Sequence, residues 1–341
     1  MTGETRTTTY LPGMTVHDYH VTVKEQHPAL FELLDPARLV AVTDEPWVTE
    51  GNEFDDDHTG RGVSYRCAQQ HGEARRTGIE TILGMFAGPG GLRDMGRVLD
   101  VLGGEGLLSR VWRQLAGAGD GDSVPLVTGD LSGHMVAAAL RSGLPAVRQP
   151  ADRMLQRDHC LDGVLFAYGT HHVDRSVRPR MLTEASRVLA PGGRVVLHDF
   201  AEGSPEERWF REVVHPRSLA GHAYDHFTAH EMTGYLADAG FTDITVGPVY
   251  DPMTLTGETE ESALARLVSY MTSMYGILPD GDRSNERTEA ALRDIFRFSA
   301  GDLPEDVPRD EAVLELTVRP HGNAFRAELP RIALVAHGRK P

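Results

Sequence analysis

The sequence contains only two cysteines, Cys67 and Cys160, in 341 residues. Two cysteines supply neither a disulfide framework nor the paired spacing of a zinc site, which favours a reducing compartment. No apolar run approaches the ~18 residues that a membrane-spanning helix needs. The first residues, MTGETRTTTY, lack the apolar segment of a secretory signal. These absences predict a cytoplasmic chain.

Positive charge is also scarce. Lys24 and Lys340 are the only lysines, and 50 acidic residues outnumber 34 basic ones, which gives a formal net charge of −16. Because a phosphate backbone is bound by a basic face, we expect no nucleic-acid partner. An apolar content of 40% and a charged content of 25% are typical of a globular protein.

The most informative stretch is RVLDVLGGEGLLSR at 97–110. Its apolar start predicts a strand, its glycines a turn, and its last leucines the beginning of a helix. This is the first corner of a doubly wound α/β sheet, where ligands bind at the carboxyl edge of the strands. Asp100 would repel a phosphate there and suits a ligand with a positive charge, such as an amino group. An ordinary turn without a ligand is the alternative.

Four more strand patterns follow, at 124–127, 146–149, 162–169 and 194–200. Helical patterns separate them, which predicts parallel βαβ units. Asp130 follows the second strand, where a carboxylate can accept hydrogen bonds from ribose hydroxyls. The alternative role for Asp130 is to cap the next helix.

Glycine and proline in AGPGGL at 87–92 predict a domain boundary near residue 90. We expect residues 1–90 to form a mainly helical cap or substrate lid. We expect residues 91–341 to form the ligand-binding domain, with a helical insertion at about 255–325. An apolar stripe at 264–275 has helical spacing. It favours packing on the sheet edge or on a second copy in a homodimer, and a substrate lid is the alternative.

Four motifs occur in order: VLDVLGGEG, TGDLSGHM, LDGVLFAYGTHHV and LAPGGRVVLHDF. Together they resemble the core motifs of class I S-adenosylmethionine-dependent methyltransferases, over about residues 95–200. The final RIALVAHGRK resembles the last strand of that family. The resemblance implies a Rossmann-like, doubly wound sheet of seven strands, S-adenosylmethionine as the cofactor, and transfer of its methyl group.

The resemblance also implies a role for each motif residue in binding the cofactor. Asp100 and the glycine loop would face the methionine moiety, Asp130 would hold the ribose, and Tyr168 would lie below the sulfonium. The predicted cofactor-binding residues are Asp100, Leu102, Gly103, Gly104, Gly106, Asp130, Leu131, Ala151, Asp152, Tyr168 and Gly169. Leu102 replaces the first glycine of the family pattern, and because leucine disfavours positive φ, we expect a differently shaped turn.

A general base assists methyl transfer when the acceptor is a hydroxyl, an enol or an acidic C–H. His171 and His172 follow the fourth strand pattern and are the candidate bases, with a structural role at the loop start as the alternative. We predict that His222, Tyr224 and His226 bind the substrate.

The predicted function is O- or C-methylation of a small molecule in specialised metabolism. One alternative is an enzyme that keeps the cofactor for a non-methylating reaction such as a cyclisation. Another alternative is a non-catalytic protein that binds the cofactor or a partner.

Two metal sites are considered, and neither is predicted. The run at 55–58, DDDH, could bind Mg²⁺ through oxygen, although a solvated acidic loop explains it equally simply. His222 and His226 with Asp225 could bind iron or zinc. Gly221 disfavours the helix that would align those two histidines.

Overall fold

The computed structural model describes residues 9–49, 54–55, 61–119 and 124–341. The strands are β1 (Thr9–Leu11), β2 (Met14–Thr15), β3 (Val98–Asp100), β4 (Leu126–Asp130), β5 (Ala146–Arg148), β6 (Leu161–Phe166), β7 (Leu189–Asp199), β8 (Thr242–Tyr250), β9 (Met253–Gly257), β10 (Thr317–His321), β11 (Ala324–Leu329) and β12 (Ile332–Arg339). The helices are α1 (Val16–Gln26), α2 (Pro28–Leu33), α3 (Pro36–Ala41), α4 (Pro46–Thr49), α5 (Arg61–Gln69), α6 (Arg76–Gly84), α7 (Leu107–Ala116), α8 (Gly133–Arg141), α9 (Arg178–Val188), α10 (Pro205–Trp209), α11 (His215–Arg217), α12 (Ala229–Asp238), α13 (Glu260–Met274) and α14 (Ser284–Ile295). A π-helical turn at Phe210–Val214 joins α10 to α11.

Seven strands form the central sheet, in the order β5-β4-β3-β6-β7-β12-β8. The first five pair in parallel, and β12 lies antiparallel between β7 and β8. Strand β3 is central, with Val98 opposite Leu126 of β4 and Gly163 of β6. The doubly wound sheet of seven strands that the motifs predict is confirmed. The carboxyl ends of β3, β4, β6 and β7 therefore meet along one edge.

Apolar cores cover both faces of this sheet. Val98 and Leu99 are fully buried and belong to opposite cores, because successive side chains of a strand point to opposite faces. Residues before position 90 join each core: Tyr10 and Tyr19 pack on one face, and Ile79 packs on the other. The segment predicted to be a cap is thus built into the layers of the sheet, and the domain boundary near residue 90 stays a prediction.

The late insertion contains α13, which carries the apolar stripe predicted at 264–275, together with α14 and additional strands. Strands β10, β11 and β9 form a second, antiparallel sheet of three strands. A tight turn through Gly322, at φ 60°, joins β10 to β11, which is the conformation that glycine favours. In the described part of the chain, no helix has the length and apolarity that crossing a bilayer requires.

Arg148, at the end of β5, holds the amino-terminal segment against the sheet. The side chain is 5% exposed. Its guanidinium donates to the backbone oxygens of Tyr10 at 2.8 Å, Trp47 at 2.9 Å and Leu131 at 3.0 Å. One buried cation thus satisfies carbonyl groups from three separate segments.

We expect Arg148→Ala to lower the free energy of unfolding by about 3 kcal/mol, because buried carbonyl groups lose charge-assisted hydrogen bonds. Urea unfolding followed by circular dichroism measures the change. Arg141→Ala, at an exposed position of α8, is the control and should change it by less than about 0.5 kcal/mol. Equal effects of the two substitutions would contradict this role of Arg148.

Candidate functional site

The glycine loop lies between β3 and α7, at the carboxyl edge of the sheet. Gly104 and Gly106 have φ of 57° and 80°, which is the left-handed region that glycine favours. Leu102 keeps φ outside that region. The left-handed residues of this turn are thus Gly104 and Gly106. Leu102 can therefore occupy the position of the family's first glycine without a positive φ.

Two acidic residues lie beneath this loop. Asp100 is 1% exposed, and its Oδ2 has no hydrogen-bond partner in the structure. Burial, reinforced by the neighbouring Asp130, raises the pKa of Asp100 to about 8. A buried carboxyl group without a partner is costly, and a cation beside it would restore its ionised form. The site thus fits the ammonium group of an amino-acid moiety.

Asp130 has a different environment. Its carboxylate accepts the backbone N–H groups of Gly104 at 2.9 Å and Ser132 at 2.8 Å. Burial raises the pKa of Asp130 to about 6, and these hydrogen bonds oppose the increase. Ser132, whose hydroxyl accepts from Met135 N–H, is the residue that caps α8. The alternative of a capping role for Asp130 is therefore wrong.

A cavity with about 1070 Å³ of empty volume, open to solvent, lies above the strand ends. Seven of the predicted cofactor-binding residues line it: Leu102, Asp130, Leu131, Ala151, Asp152, Tyr168 and Gly169. The other four, Asp100, Gly103, Gly104 and Gly106, belong to β3 and the loop and are not among the lining residues. Besides lining the cavity, Asp152 pairs with Arg180 at 3.1 Å.

Helix α5, from the amino-terminal segment, covers the glycine loop. The Oε1 of Gln69 accepts the backbone N–H of Glu105 at 3.1 Å. A Cβ at Gly104 would lie 2.4 Å from Nε2 of Gln69, so this side chain would have to move, and the φ of 57° at Gly104 itself favours glycine. Tyr65, on the same helix, lines the cavity. Sequence analysis missed both residues, because no motif marks them.

Asp55 is the described member of the acidic run at 55–58. Its carboxylate accepts hydrogen bonds from the Ser132 hydroxyl and from the backbone N–H of His134 at 3.2 Å. Residues 56–58 lie outside the described residues. Asp55 therefore contacts the start of α8, and the magnesium site considered for this run stays untested.

A second, narrower cavity adjoins the first, and its empty volume of about 630 Å³ includes open solvent. Its walls are mostly aromatic and basic. The lining residues are Phe54, Tyr65, Arg75, Tyr168, His171, His172, Phe200, Phe210, Val214, His222, Met274, Tyr275 and Arg331. Four of them also line the first cavity and mark the junction of the two: Phe54, Tyr65, Tyr168 and His172. A ligand in one cavity would thus approach a ligand in the other at this junction. We refer to the two as the cofactor cavity and the acceptor cavity.

Tyr168, which lines both cavities, has an unusual backbone conformation. Its φ is 59°, a left-handed value that is rare and strained for an aromatic residue. Its hydroxyl lies 3.1 Å from Oδ1 of Asp251, and its backbone N–H donates to Nδ1 of His198 at 3.4 Å. These contacts hold the ring between the two cavities.

His171 is buried in the wall of the acceptor cavity and is oriented by Asp199, the last residue of β7. Its Nδ1 lies 2.9 Å from Oδ1 of Asp199, and its backbone N–H donates to Oδ2 at 2.6 Å. Although burial alone would raise the pKa of Asp199, His171 and His226 hold it well below the usual range. An ionised carboxylate only accepts, so Nδ1 carries the proton and Nε2 is free to accept one.

Further histidines surround His171. Its ring centroid lies 4.5 Å from that of His172, 5.1 Å from His222 and 5.0 Å from His226. The ring of Tyr224 lies 4.3 Å from that of His172. The three predicted substrate-binding residues thus converge on the two candidate bases.

Two sets of these side chains have ligand atoms within 4.8 Å of one another, a spacing compatible with a metal ion. One comprises His171, His172 and His222, and the other comprises His171, Asp199 and His226. Asp225, the carboxylate considered with His222 and His226 from the sequence, is exposed and belongs to neither set. The carboxylate of the site considered from the sequence therefore does not join these histidines, because residues 221–226 are not helical and Asp225 is exposed.

Sequence analysis also missed the buried charges of the acceptor cavity. Arg331 is 2% exposed, and its Nη2 and Nε bind the side chain and the backbone oxygen of Asp251. Arg75 is 3% exposed and lies 5.0 Å from the ring of Tyr168. Among these buried charges, only Asp199 could be found from the sequence, because it is the acid at the end of the apolar strand that pairs with β6.

The sheet topology, the glycine loop and the buried acid beneath it define a class I S-adenosylmethionine-dependent methyltransferase. A family model described as "Methyltransferase domain" matches residues 72–246, slightly more than half of the chain. The chain therefore belongs to this family, and the resemblance stated from its motifs is confirmed for family, fold and cofactor.

A curated relative is the ubiquinone/menaquinone biosynthesis C-methyltransferase UbiE of Pseudomonas paraeruginosa (strain DSM 24068 / PA7). It is 29% identical over 125 residues, which cover 33% of this chain and 45% of the relative. The match thus spans less than half of that protein.

Two solved structures share 15% identity with this chain. The phosphoethanolamine N-methyltransferase 2 of Haemonchus contortus with S-adenosyl-L-methionine has a TM-score of 0.49, over 85% of this chain and 59% of that one. A possible histamine N-methyltransferase of Thermotoga maritima has a TM-score of 0.48, over 84% and 100%. Likenesses of this size carry no information about substrate or site residues.

We expect binding of S-adenosylhomocysteine to release close to one proton at pH 7, because its ammonium group stabilises the ionised form of Asp100. Free Asp100, with a pKa of about 8, is mostly protonated at that pH, whereas Asp130, at about 6, is mostly ionised. The affinity should therefore rise by up to about tenfold per pH unit towards pH 8, where the ligand amine itself begins to lose its proton.

Calorimetry at pH 7 in two buffers of different ionisation enthalpy counts the released protons. Asp100→Asn should abolish the release and weaken binding, whereas Asp238→Asn, at an exposed position of α12, should leave both unchanged. Proton release that survives Asp100→Asn would show that another group is responsible.

Proposed function

We propose that this protein transfers a methyl group from S-adenosylmethionine to an oxygen or a carbon of a small molecule bound in the acceptor cavity, in the cytoplasm and in specialised metabolism. The observation that carries the proposal is the pair of adjoining cavities with a shared wall. Asp100 and Asp130 underlie one of them, and the His171–Asp199 pair faces the other. S-adenosylmethionine, when bound, supplies an electrophilic methyl group at the junction of the two cavities.

The residues of the chain contribute position and a proton acceptor. Asp100 and Asp130 would hold the amino-acid and ribose parts of the cofactor, and Tyr168 would line the junction where the methyl group meets the acceptor. His171 would take the proton of the acceptor on Nε2, while Asp199 fixes the ring and stabilises the imidazolium. Alignment of the reactants and exclusion of water provide much of the remaining acceleration.

Both methylation chemistries fit this arrangement. A hydroxyl group and an acidic C–H each need a proton acceptor beside the reacting atom. The curated relative is named a C-methyltransferase, and this supports carbon as one of the two possible acceptor atoms. The binding roles of His222, Tyr224 and His226 and the homodimer are parts of the same proposal.

The test is to incubate the protein with methyl-labelled S-adenosylmethionine and a small-metabolite extract. Label should enter a small product, and His171→Gln should lower the rate by roughly 10²- to 10⁴-fold, the usual contribution of a general base. Affinity for S-adenosylhomocysteine should stay within a few-fold, because His171 is not a lining residue of the cofactor cavity.

The matched control is His230→Gln, at an exposed position of α12, which should keep the full rate. Cofactor binding without labelled product would support the cyclase or the binding protein instead. A fully active His171→Gln variant would remove His171 as the base.

A second candidate is metal-assisted transfer, favoured by the histidine set at 171, 172 and 222. His171, His172 and His222 would hold the ion through ring nitrogens. Asp199 would then act as the carboxylate that orients His171. The metal would supply Lewis-acid chemistry, and His171 would be a ligand rather than the base.

Metal analysis and chelation separate the two candidates. Metal-assisted transfer predicts one Fe or Zn per chain, loss of transfer after dialysis against a chelator, and recovery when the metal is returned. It also predicts loss of the bound metal in His222→Gln. Full activity of the metal-free protein would reject this candidate and leave His171 as the base.

A further inference from the structure

Arg75 is a buried cation without a counter-ion among the described residues. It ends the 3₁₀ turn Gly72–Arg75, which leads directly into α6, and it lines the acceptor cavity. Only 3% of the residue is exposed. Its Nε and Nη2 are buried and have no hydrogen-bond partner. Because an unpaired buried charge is strongly unfavourable, this position calls for a group that the chain does not supply.

The nearby acids are occupied elsewhere. Asp251 binds Arg331 through Oδ2 and the Tyr168 hydroxyl through Oδ1, at 3.1 Å. Glu206 accepts the backbone N–H of Ile332 at 3.0 Å through Oε1, its Oε2 has no hydrogen-bond partner, and burial raises its pKa to about 7 against the opposing effect of Arg331. The charge of Asp251 also favours the Arg75 cation, and the other polar groups that interact with Arg75 are phenols, on Tyr65, Tyr168 and Tyr270. Arg75 therefore makes no ion pair of its own in the cavity wall.

The two unpaired nitrogens determine which anion fits. Nε and Nη2 lie on the same side of the planar guanidinium, so their N–H bonds point in parallel. This edge matches the two oxygens of a carboxylate in a bidentate pair. The remaining wall is aromatic, with Phe200, Phe210 and Tyr275, which suits a flat or apolar body attached to that carboxylate.

On this basis, which rests on the proposed function, we propose that the methyl acceptor is a carboxylic acid whose carboxylate binds Nε and Nη2 of Arg75. Its body lies against the aromatic wall, and its hydroxyl or acidic C–H is placed at His171. A single guanidinium without an ion pair fits a monoanion better than a phosphate dianion. Arg75 is then the residue that selects acids over neutral compounds.

The test measures binding of 3-phenylpropionate and its neutral amide, 3-phenylpropionamide, to the protein loaded with S-adenosylhomocysteine, by calorimetry. The acid should bind at least tenfold more tightly than the amide. Arg75→Gln should remove this preference and leave amide binding unchanged. Arg75→Lys should restore only part of this preference, because lysine keeps the positive charge but lacks the two parallel N–H donors of the guanidinium. Phenyl phosphate, included as a second anion, should bind more weakly than the acid.

The matched control is the exposed neighbour, Arg76, whose change to Gln should leave the preference intact. Thermal unfolding separates recognition from support of the fold. If Arg75 serves a ligand, Arg75→Gln should unfold at the same or a higher temperature than the parent, because an unpaired buried charge is removed. A structural arginine would give a clear decrease.

Several results would overturn the proposal. These are equal binding of acid and amide, a preference that survives Arg75→Gln, tighter binding of phenyl phosphate, or no acid binding at about 10 mM. Failure of S-adenosylhomocysteine to bind would instead count against the proposed function, and the acid can then be measured on the unloaded protein. In the labelled extract, the product should be retained on an anion exchanger.

Discussion

The constraint on which this site depends is that each charge buried at the carboxyl edge of the sheet needs a partner of opposite sign. Asp199 meets it through His171, and Asp251 meets it through Arg331. Hydrogen bonds to the backbone take that role at Asp130 and Arg148, whereas Asp100 and Arg75 keep buried atoms without a hydrogen-bond partner among the described residues. Asp100 beneath the glycine loop is negative when ionised, and Arg75 in the acceptor cavity is positive. A cationic amino-acid moiety and an anionic acceptor would complete the set.

This view explains why the pKa of Asp100 is raised and that of Asp199 is lowered, although both are buried aspartates that end sheet strands. Burial raises the pKa of each, and at Asp100 a second carboxylate adds to the effect. At Asp199, two histidines and two backbone N–H groups reverse it. The first residue is suited to bind a ligand, and the second is suited to orient a base that is already in place.

The sequence predicts those parts of the site that lie close together along the chain. Asp100, Asp130 and His171 each follow a strand pattern, and parallel pairing brings such positions to one edge. The second sheet, β9–β11, was not predicted, because its short strands lack a clear alternating pattern. A helix cap at Asp130 fits the sequence pattern almost as well as one at Ser132, two residues later, and only the structure shows that Ser132 caps α8.

Arg75 and Asp251 carry no motif, and Arg331 opens the RIALVAHGRK strand without any sign of its partner, so contacts among these three distant segments could not be predicted. Their contacts exist only because the amino-terminal helices and the late insertion pack on the same end of the sheet. Tyr65 and Arg75 come from the first of these regions, and Met274 and Tyr275 come from the second. These two additions complete the acceptor cavity, whose other walls include Tyr168, His171 and Phe200 from the motif segments. The sheet edge thus places the cofactor cavity and the candidate base side by side, and the added segments supply Arg75 and Tyr275 beside them.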